Sequence, residues 1–127
     1  MRTVATLSVA GLMVLGLSAC AAEATPPEPK ATYDSVVDLR DAFVDAGGEC
    51  DDWVQGNRIT NAAQSGDCSS STVLSIYLSE ATRDETVTNL KSISIAGVHL
   101  LVGENWIINV EDPESYRDAL GGTVVTS

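Results

Sequence analysis

The chain has 127 residues, of which 18 are acidic and 7 basic, so its formal net charge is −11. This length suits one domain and is too short for two. Nucleic acid is excluded as a partner, because phosphate backbones are bound by clustered Lys and Arg and should repel so acidic a chain. Anionic lipid headgroups should repel it for the same reason.

The first 20 residues have the pattern of a secretory signal peptide. Arg2 supplies a positive charge, residues 4–17 form an apolar run, and small residues precede a thiol at the end of that run. This ending, Leu17-Ser18-Ala19-Cys20, closely resembles the lipobox of bacterial lipoproteins. The resemblance implies that residues 1–19 are removed as a signal peptide and that Cys20 carries a diacylglyceryl thioether as the first mature residue.

The lipobox resemblance also implies a location. Acyl chains on Cys20 would hold the protein at the outer face of the cell membrane, with the lipid bilayer as its partner. The low lysine and acidic composition of the remaining chain is similar to that of uncharacterised small lipoproteins of high-GC Gram-positive bacteria. In a host with two membranes, Ala21 differs from the aspartate that retains lipoproteins at the inner membrane, so the outer membrane is expected there.

Residues 20–32 are expected to be an extended spacer, because Pro26, Pro27 and Pro29 favour a polyproline-like chain with no apolar face to pack. The remaining residues, 33–127, are assigned to a single extracytoplasmic domain. Such a spacer would let the domain stand off the membrane surface.

The domain is predicted to begin with a helix over residues 35–46. Ser35 is a candidate N-cap, the apolar residues Val36, Leu39 and Phe43 recur at helical spacing, and two glycines follow as a stop signal.

Two strands are expected next. Residues 58–64 have no helical stripe and are assigned to a strand, and residues 65–67 are assigned to a turn. Residues 73–78 alternate in polarity, which places Leu78 on the same face as Leu74.

A second helix is predicted to start at Thr82, with Glu85 completing a capping box, and to bury Val87, Leu90 and Ile93 along one side.

The last third of the chain reads as a hairpin followed by a helix. Residues 98–102 and 106–110 are two apolar runs separated by Gly103-Glu104-Asn105, a typical turn sequence. Asp112-Pro113-Glu114 then starts a helix that ends at Gly121-Gly122.

The resulting order, α-β-β-α-β-β-α, predicts an α+β fold in which a four-stranded, mainly antiparallel sheet carries the helices on one face. The helix between the two hairpins leaves one parallel pairing in the middle of the sheet open.

The three cysteines are an odd number in a chain expected to work outside the cytoplasm. If Cys20 is lipidated, Cys50 and Cys68 remain as a pair, and disulfides persist in such compartments. Free thiols or metal ligation are the alternatives. The chain has one histidine and no Cys-x-x-Cys spacing, so a metal site is disfavoured and the disulfide is predicted.

Two groups of acidic residues are weighed as sites. The carboxylates of Asp34, Asp38, Asp41 and Asp45 share one side of the first helix, which is typical of a solvated face. A docking strip for a cationic partner is the alternative. The loop acids, with the sequence Glu49-Cys50-Asp51-Asp52, could form a weak divalent-cation site, but they lack the spacing of a known calcium cage. No metal or cofactor is therefore predicted.

No catalytic motif is found. His99 is the only histidine, so a Ser-His or Cys-His arrangement would have to use it as the base, yet no serine lies in a Gly-x-Ser-x-Gly turn. A histidine on the face of a strand is the simpler interpretation. The protein is therefore predicted not to be an enzyme.

The two tryptophans, Trp53 and Trp106, are most simply core residues, with Trp53 a candidate lid over the disulfide. If either were exposed together with Tyr77, it would mark a surface for a sugar or a protein. We take Trp53, Trp106 and His99 together as the candidate binding surface.

These observations predict a membrane-anchored, non-enzymatic binding or cell-envelope accessory module whose ligand is an envelope protein or a glycan. The alternatives are a small extracytoplasmic hydrolase of cell-wall polymers, using His99 or a pair of acids, and an inhibitor or immunity-type protein.

Overall fold

The computed structural model describes residues 31–127. The predicted signal peptide at 1–19, the lipidation site Cys20 and residues 20–30 of the predicted spacer lie outside the described residues. The described part contains three helices and six strands, in the order α1 Val36–Asp45, β1 Val54–Gly56, β2 Gln64–Asp67, β3 Val73–Ile76, α2 Glu80–Ile93, β4 His99–Val102, β5 Trp106–Asn109, α3 Glu114–Leu120 and β6 Thr123–Thr126.

The six strands form one sheet with the order β1-β2-β3-β5-β4-β6, and every neighbouring pair is antiparallel. The α+β class is confirmed, but the prediction of four strands is wrong, because β1 and β6 extend the sheet at its two edges. The middle pairing, which the sequence left open, joins β3 to β5 and is antiparallel.

Helix α1 forms where the sequence predicts it. The Ser35 hydroxyl accepts a hydrogen bond from the backbone N–H of Asp38 at 3.1 Å, which satisfies one donor that the helix itself leaves unpaired. Val36, Leu39 and Phe43 are buried along its inner side.

Helices cover both faces of the sheet, so their predicted placement on one face is wrong. Successive residues of a strand point to opposite faces, and in β4 Leu101 packs in the cluster that contains α1 and α3 residues, whereas Leu100 packs in the cluster that contains Val87 and Leu90 of α2. All four residues of β3 are buried. A strand buried on both faces needs cover on both sides, and α2 supplies the second layer.

Helix α2 starts earlier and packs more loosely than predicted. Its N-cap is Ser79, whose hydroxyl accepts from the N–H of Thr82 at 3.2 Å. Thr86 is its one buried residue, Val87 and Leu90 are partly buried, and Ile93 is 72% exposed. Of the three residues predicted to be buried, two are therefore partly buried and the third is exposed.

The strands differ from prediction at three places. Residues 58–63 are loop, and the strand begins at Gln64 and includes the predicted turn at 65–67. Strand β3 ends at Ile76, so Leu78 is 93% exposed. The β4–β5 hairpin around Gly103-Glu104-Asn105 is confirmed.

The strand registers give the sheet two distinct ends. At one, Ile76 pairs with Trp106. The described chain enters there, since the Trp106 indole N–H donates to the Ala31 carbonyl at 3.2 Å. We call this the entry end. At the other, Val73 pairs with Asn109, and the Cys50–Cys68 disulfide, which is confirmed, lies in the adjoining loops. We call this the disulfide end.

Candidate functional site

The three residues predicted to form a binding surface are not brought together. Trp106 is 1% exposed and lies at the entry end, in the core. Trp53 directly precedes β1, and exposed His99 opens β4, both at the disulfide end. Four strand spacings separate β1 from β4, which corresponds to roughly 19 Å across the sheet.

Both tryptophans have packing roles. The Trp53 indole lies on β2 where Gly66 leaves no side chain, and the Arg40 guanidinium lies 5.4 Å from the centre of its ring. It therefore attaches α1 to the edge of the sheet. Trp106 occupies the space above Gly103 and meets the Tyr33 ring edge-on at 6.0 Å.

The His99 side chain is exposed on β4, apart from any catalytic arrangement of the described residues. Among residues 31–127, no hydrogen bond or ion pair involves its imidazole, and its backbone carbonyl accepts from Val110. The prediction that the protein is not an enzyme stays a prediction.

A groove of about 690 Å³ opens at the disulfide end. Three loops form its walls: the segment after α1, the β2–β3 turn and the β5–α3 connection. Phe43 and Tyr116, whose rings lie 4.9 Å apart, pack at its base. We call it the acidic groove, because its polar lining consists of carboxylates and hydroxyls, namely Glu49, Asp51, Asp52, Glu111, Asp112, Ser69, Ser71 and Thr72.

The charged side chains that line the acidic groove in the described part of the chain are all acidic. No Lys or Arg of residues 31–127 lines it. The ion pairs found in that part of the chain use Asp41, Asp67 and Asp84, none of which lies in the groove. Its five carboxylates therefore present their charge to solvent without a neutralising neighbour from the described part of the chain.

Local structure holds the walls of the acidic groove in place. Gly47 ends α1 with a φ of 100°, a conformation that L side chains rarely adopt, and the chain turns into the acidic loop. The Cys50–Cys68 disulfide fastens this loop to the β2–β3 turn. Within that turn, the Ser69 hydroxyl accepts from the N–H of Thr72 at 3.0 Å.

The acids weighed as metal or docking sites are placed as follows. Glu49, Asp51 and Asp52 are all exposed in the acidic groove, and Glu111 and Asp112 join them from a distant part of the chain. Within residues 31–127, no three His, Cys, Asp or Glu side chains are close enough to hold a metal ion. The acidic row on α1, from Asp34 to Asp45, lies exposed, as its helical spacing predicts.

A second groove, of about 830 Å³, lies at the entry end between α2 and the β4–β6 pair. Arg83 forms one wall, where its guanidinium donates to the carbonyl oxygens of Gly103 at 2.7 Å and Glu104 at 2.6 Å. We call it the edge groove. Its apolar lining is Val87, Val102, Trp106, Leu120 and Val125. Sequence reasoning missed it, and the available signal was the absence of charge from residues 119–127.

Comparison of the chain with protein-family models, with curated proteins and with solved structures finds no match. None of the helices within residues 31–127 has the length and apolar character needed to cross a lipid bilayer.

Proposed function

We propose that this protein is a lipid-anchored, non-enzymatic binding module of the cell envelope, which holds a positively charged protein partner in the acidic groove. The supporting observation is the position of this groove at the end of the sheet opposite to the point where the described chain enters.

This arrangement suits a tethered module. The chain enters beside Trp106, and two further hydrogen bonds join Tyr33 to Asn105 in the β4–β5 turn. An anchor on Cys20 would therefore pull on the entry end. The acidic groove would face away from the bilayer, and its carboxylates would stay clear of anionic headgroups.

Charge complementarity supports a basic partner. Among residues 31–127, the groove is lined by five carboxylates and by no basic side chain, and the whole chain has a net charge of −11. Such a field accelerates association with a cationic surface and disfavours an anionic one. The partly exposed ring of Tyr116, which packs on buried Phe43, offers apolar area for an interface.

The binding proposal is tested by capture from envelope extracts with the full chain in detergent micelles. We expect basic proteins to be captured by the unmodified chain and lost with the variant Glu49→Gln/Asp51→Asn/Asp52→Asn. The matched control Asp34→Asn/Glu85→Gln/Asp118→Asn removes the same number of exposed charges outside the groove. If the two variants capture alike, the proposal is wrong.

The anchor is tested separately. Mass spectrometry of protein from native membranes should find Cys20 as the first residue, with acyl chains attached, and Cys20→Ala should release the protein from the membrane fraction. A polypeptide that begins elsewhere or carries no lipid would contradict the anchor while leaving the groove experiment interpretable.

A further inference from the structure

Strand β6 is an open edge of the sheet. It pairs with β4 alone among the described strands. Edge strands expose unpaired backbone N–H and C=O groups, and proteins usually protect them with lysine, proline or a bulge. The β6 sequence, Thr-Val-Val-Thr, contains none of these, and no charged residue occurs from Ala119 to Ser127.

The edge groove runs beside this open edge. Thr123 and Val125, which point to the same face of β6, line the groove together with Val102 of β4. Helix α2 forms the opposite wall. A strand added to β6 would therefore place every second side chain in the groove, against aliphatic surface.

The charged residues at the rim of the edge groove favour a positively charged strand. Glu80 and Glu104 line it and form no ion pair within residues 31–127, whereas Arg83 is engaged by Asp84 at 2.7 Å and by two carbonyl oxygens. The rim is therefore acidic, because its one cation already has partners.

We infer that β6 and the edge groove bind an extended, positively charged peptide segment as a seventh strand of the sheet. Backbone hydrogen bonds to β6 supply affinity, and aliphatic side chains in the groove with Lys or Arg at its rim supply specificity. A second copy of this chain is a poorer occupant, because its charge of −11 opposes pairing. This surface is distinct from the acidic groove, so either can fail alone.

The test starts from a displayed library of random nonapeptides, selected on the full chain in detergent micelles. We expect enriched peptides to carry Lys or Arg and to have Val, Ile or Thr at alternate positions. The best peptide is then synthesised with N-methyl groups on alternate backbone nitrogens. Methylation of the set that faces β6 should weaken binding at least about tenfold, because each lost backbone bond leaves unpaired groups. Methylation of the other set should leave affinity unchanged.

Protein variants locate the peptide. Glu80→Lys should weaken its binding about tenfold through like-charge repulsion, whereas Glu85→Lys, on the same helix but outside the groove, should not. Circular dichroism confirms that both variants fold. The inference is overturned if no basic strand-like peptide is enriched, if both methylated sets bind equally well, if the two variants behave alike, or if the chain dimerises through β6.

Discussion

The side-chain amide of Asn105 forms two hydrogen bonds with the backbone of Tyr33, accepting from its N–H at 3.0 Å and donating to its carbonyl oxygen at 2.8 Å. The two residues are 72 positions apart. This pairing ties Tyr33, near the start of the described residues, to the β4–β5 turn, and together with the Trp106–Ala31 hydrogen bond it fixes the end of the sheet at which the described chain enters. The orientation proposed for the acidic groove depends on it.

Replacing Asn105 with Ala should destabilise the domain by about 1–3 kcal/mol, because two partly buried backbone groups of Tyr33 lose their partners. Urea denaturation followed by tryptophan fluorescence measures the change in the free energy of unfolding. Asn57→Ala is the control, since the Asn57 side chain is exposed and forms no hydrogen bond within residues 31–127. Equal stability of the two variants would show that the Tyr33–Asn105 pairing is not maintained in solution.

The elements that the sequence predicts well are those specified by neighbouring residues. Helix α1 has its cap and apolar stripe within 12 residues, from Ser35 to Ala46, and the β4–β5 hairpin has its turn residues between two apolar runs. Strand β2 is different, because Gln-Ser-Gly-Asp has low strand propensity. It is a strand because Gly66 fits beneath Trp53 and because β3 pairs with its full length, and neither contact is visible in local sequence.

The candidate site shows the same limit. The acids around Cys50 are adjacent in sequence and were recognisable, but Glu111 and Asp112 reach the groove only because β5 ends beside the β2–β3 turn. Trp53, Trp106 and His99 do not lie together in the structure, and the burial of Trp106 agrees with the simpler interpretation of that residue as core. The Trp106 indole packs against Gly103 in its own hairpin and against Gly122 from a distant part of the chain.

Substitution of Gly103 tests that packing. A Cβ atom at Gly103 would overlap the indole of Trp106, which is 1% exposed and packed in the core. We expect Gly103→Ala to cost about 1–3 kcal/mol of folding free energy through overpacking. Gly66→Ala should cost less, since the overlapping indole of Trp53 is only half-buried and has freedom to shift.

The control for both glycine substitutions is Gly56→Ala. A Cβ atom at Gly56, on the edge strand β1, meets nothing within 4 Å. The free energy of unfolding of the Gly56→Ala variant should therefore stay within about 0.5 kcal/mol of that of the unmodified protein. Thermal denaturation of the three variants should rank them Gly56, Gly66, Gly103 in order of increasing loss. A Gly103→Ala protein as stable as the Gly56 variant would contradict the described position of Trp106.

Reduction of the disulfide should weaken the fold without abolishing it. Cys50 and Cys68 are 18 residues apart, and closing a loop of that size stabilises a fold by about 3 kcal/mol on the chain-entropy model. Cys68 is a member of the buried core cluster, but most of that cluster, including Leu39, Leu74 and Ile108, is apolar packing between helices and sheet, which should hold the fold together without the bond. Urea denaturation with and without a reducing agent measures the loss, and Cys50→Ala/Cys68→Ala should reproduce it. The double variant should be insensitive to the reducing agent.

Alkaline pH should destabilise the domain through Tyr77. Burial raises the pKa of the Tyr77 phenol above its usual value of 10, an effect partly offset by hydrogen bonding with Ser75 and Thr86. A group whose folded pKa exceeds its unfolded pKa contributes stability that is complete below the unfolded value. That stability is lost as pH rises above 10 towards the folded pKa, because the unfolded chain then releases the proton more readily.

Tyr77→Phe separates this effect from simple packing. At pH 7.5 the variant should be less stable by about 1 kcal/mol, because it lacks the 2.9 Å hydrogen bond to Ser75. Between pH 9 and pH 11 it should lose less stability than the unmodified protein, so the difference between them narrows. Burial also raises the pKa of Tyr33, and Tyr33→Phe/Tyr77→Phe should therefore depend least on pH. Parallel stability curves for all three proteins, measured by urea denaturation, would mean that Tyr77 is accessible to water in the folded state.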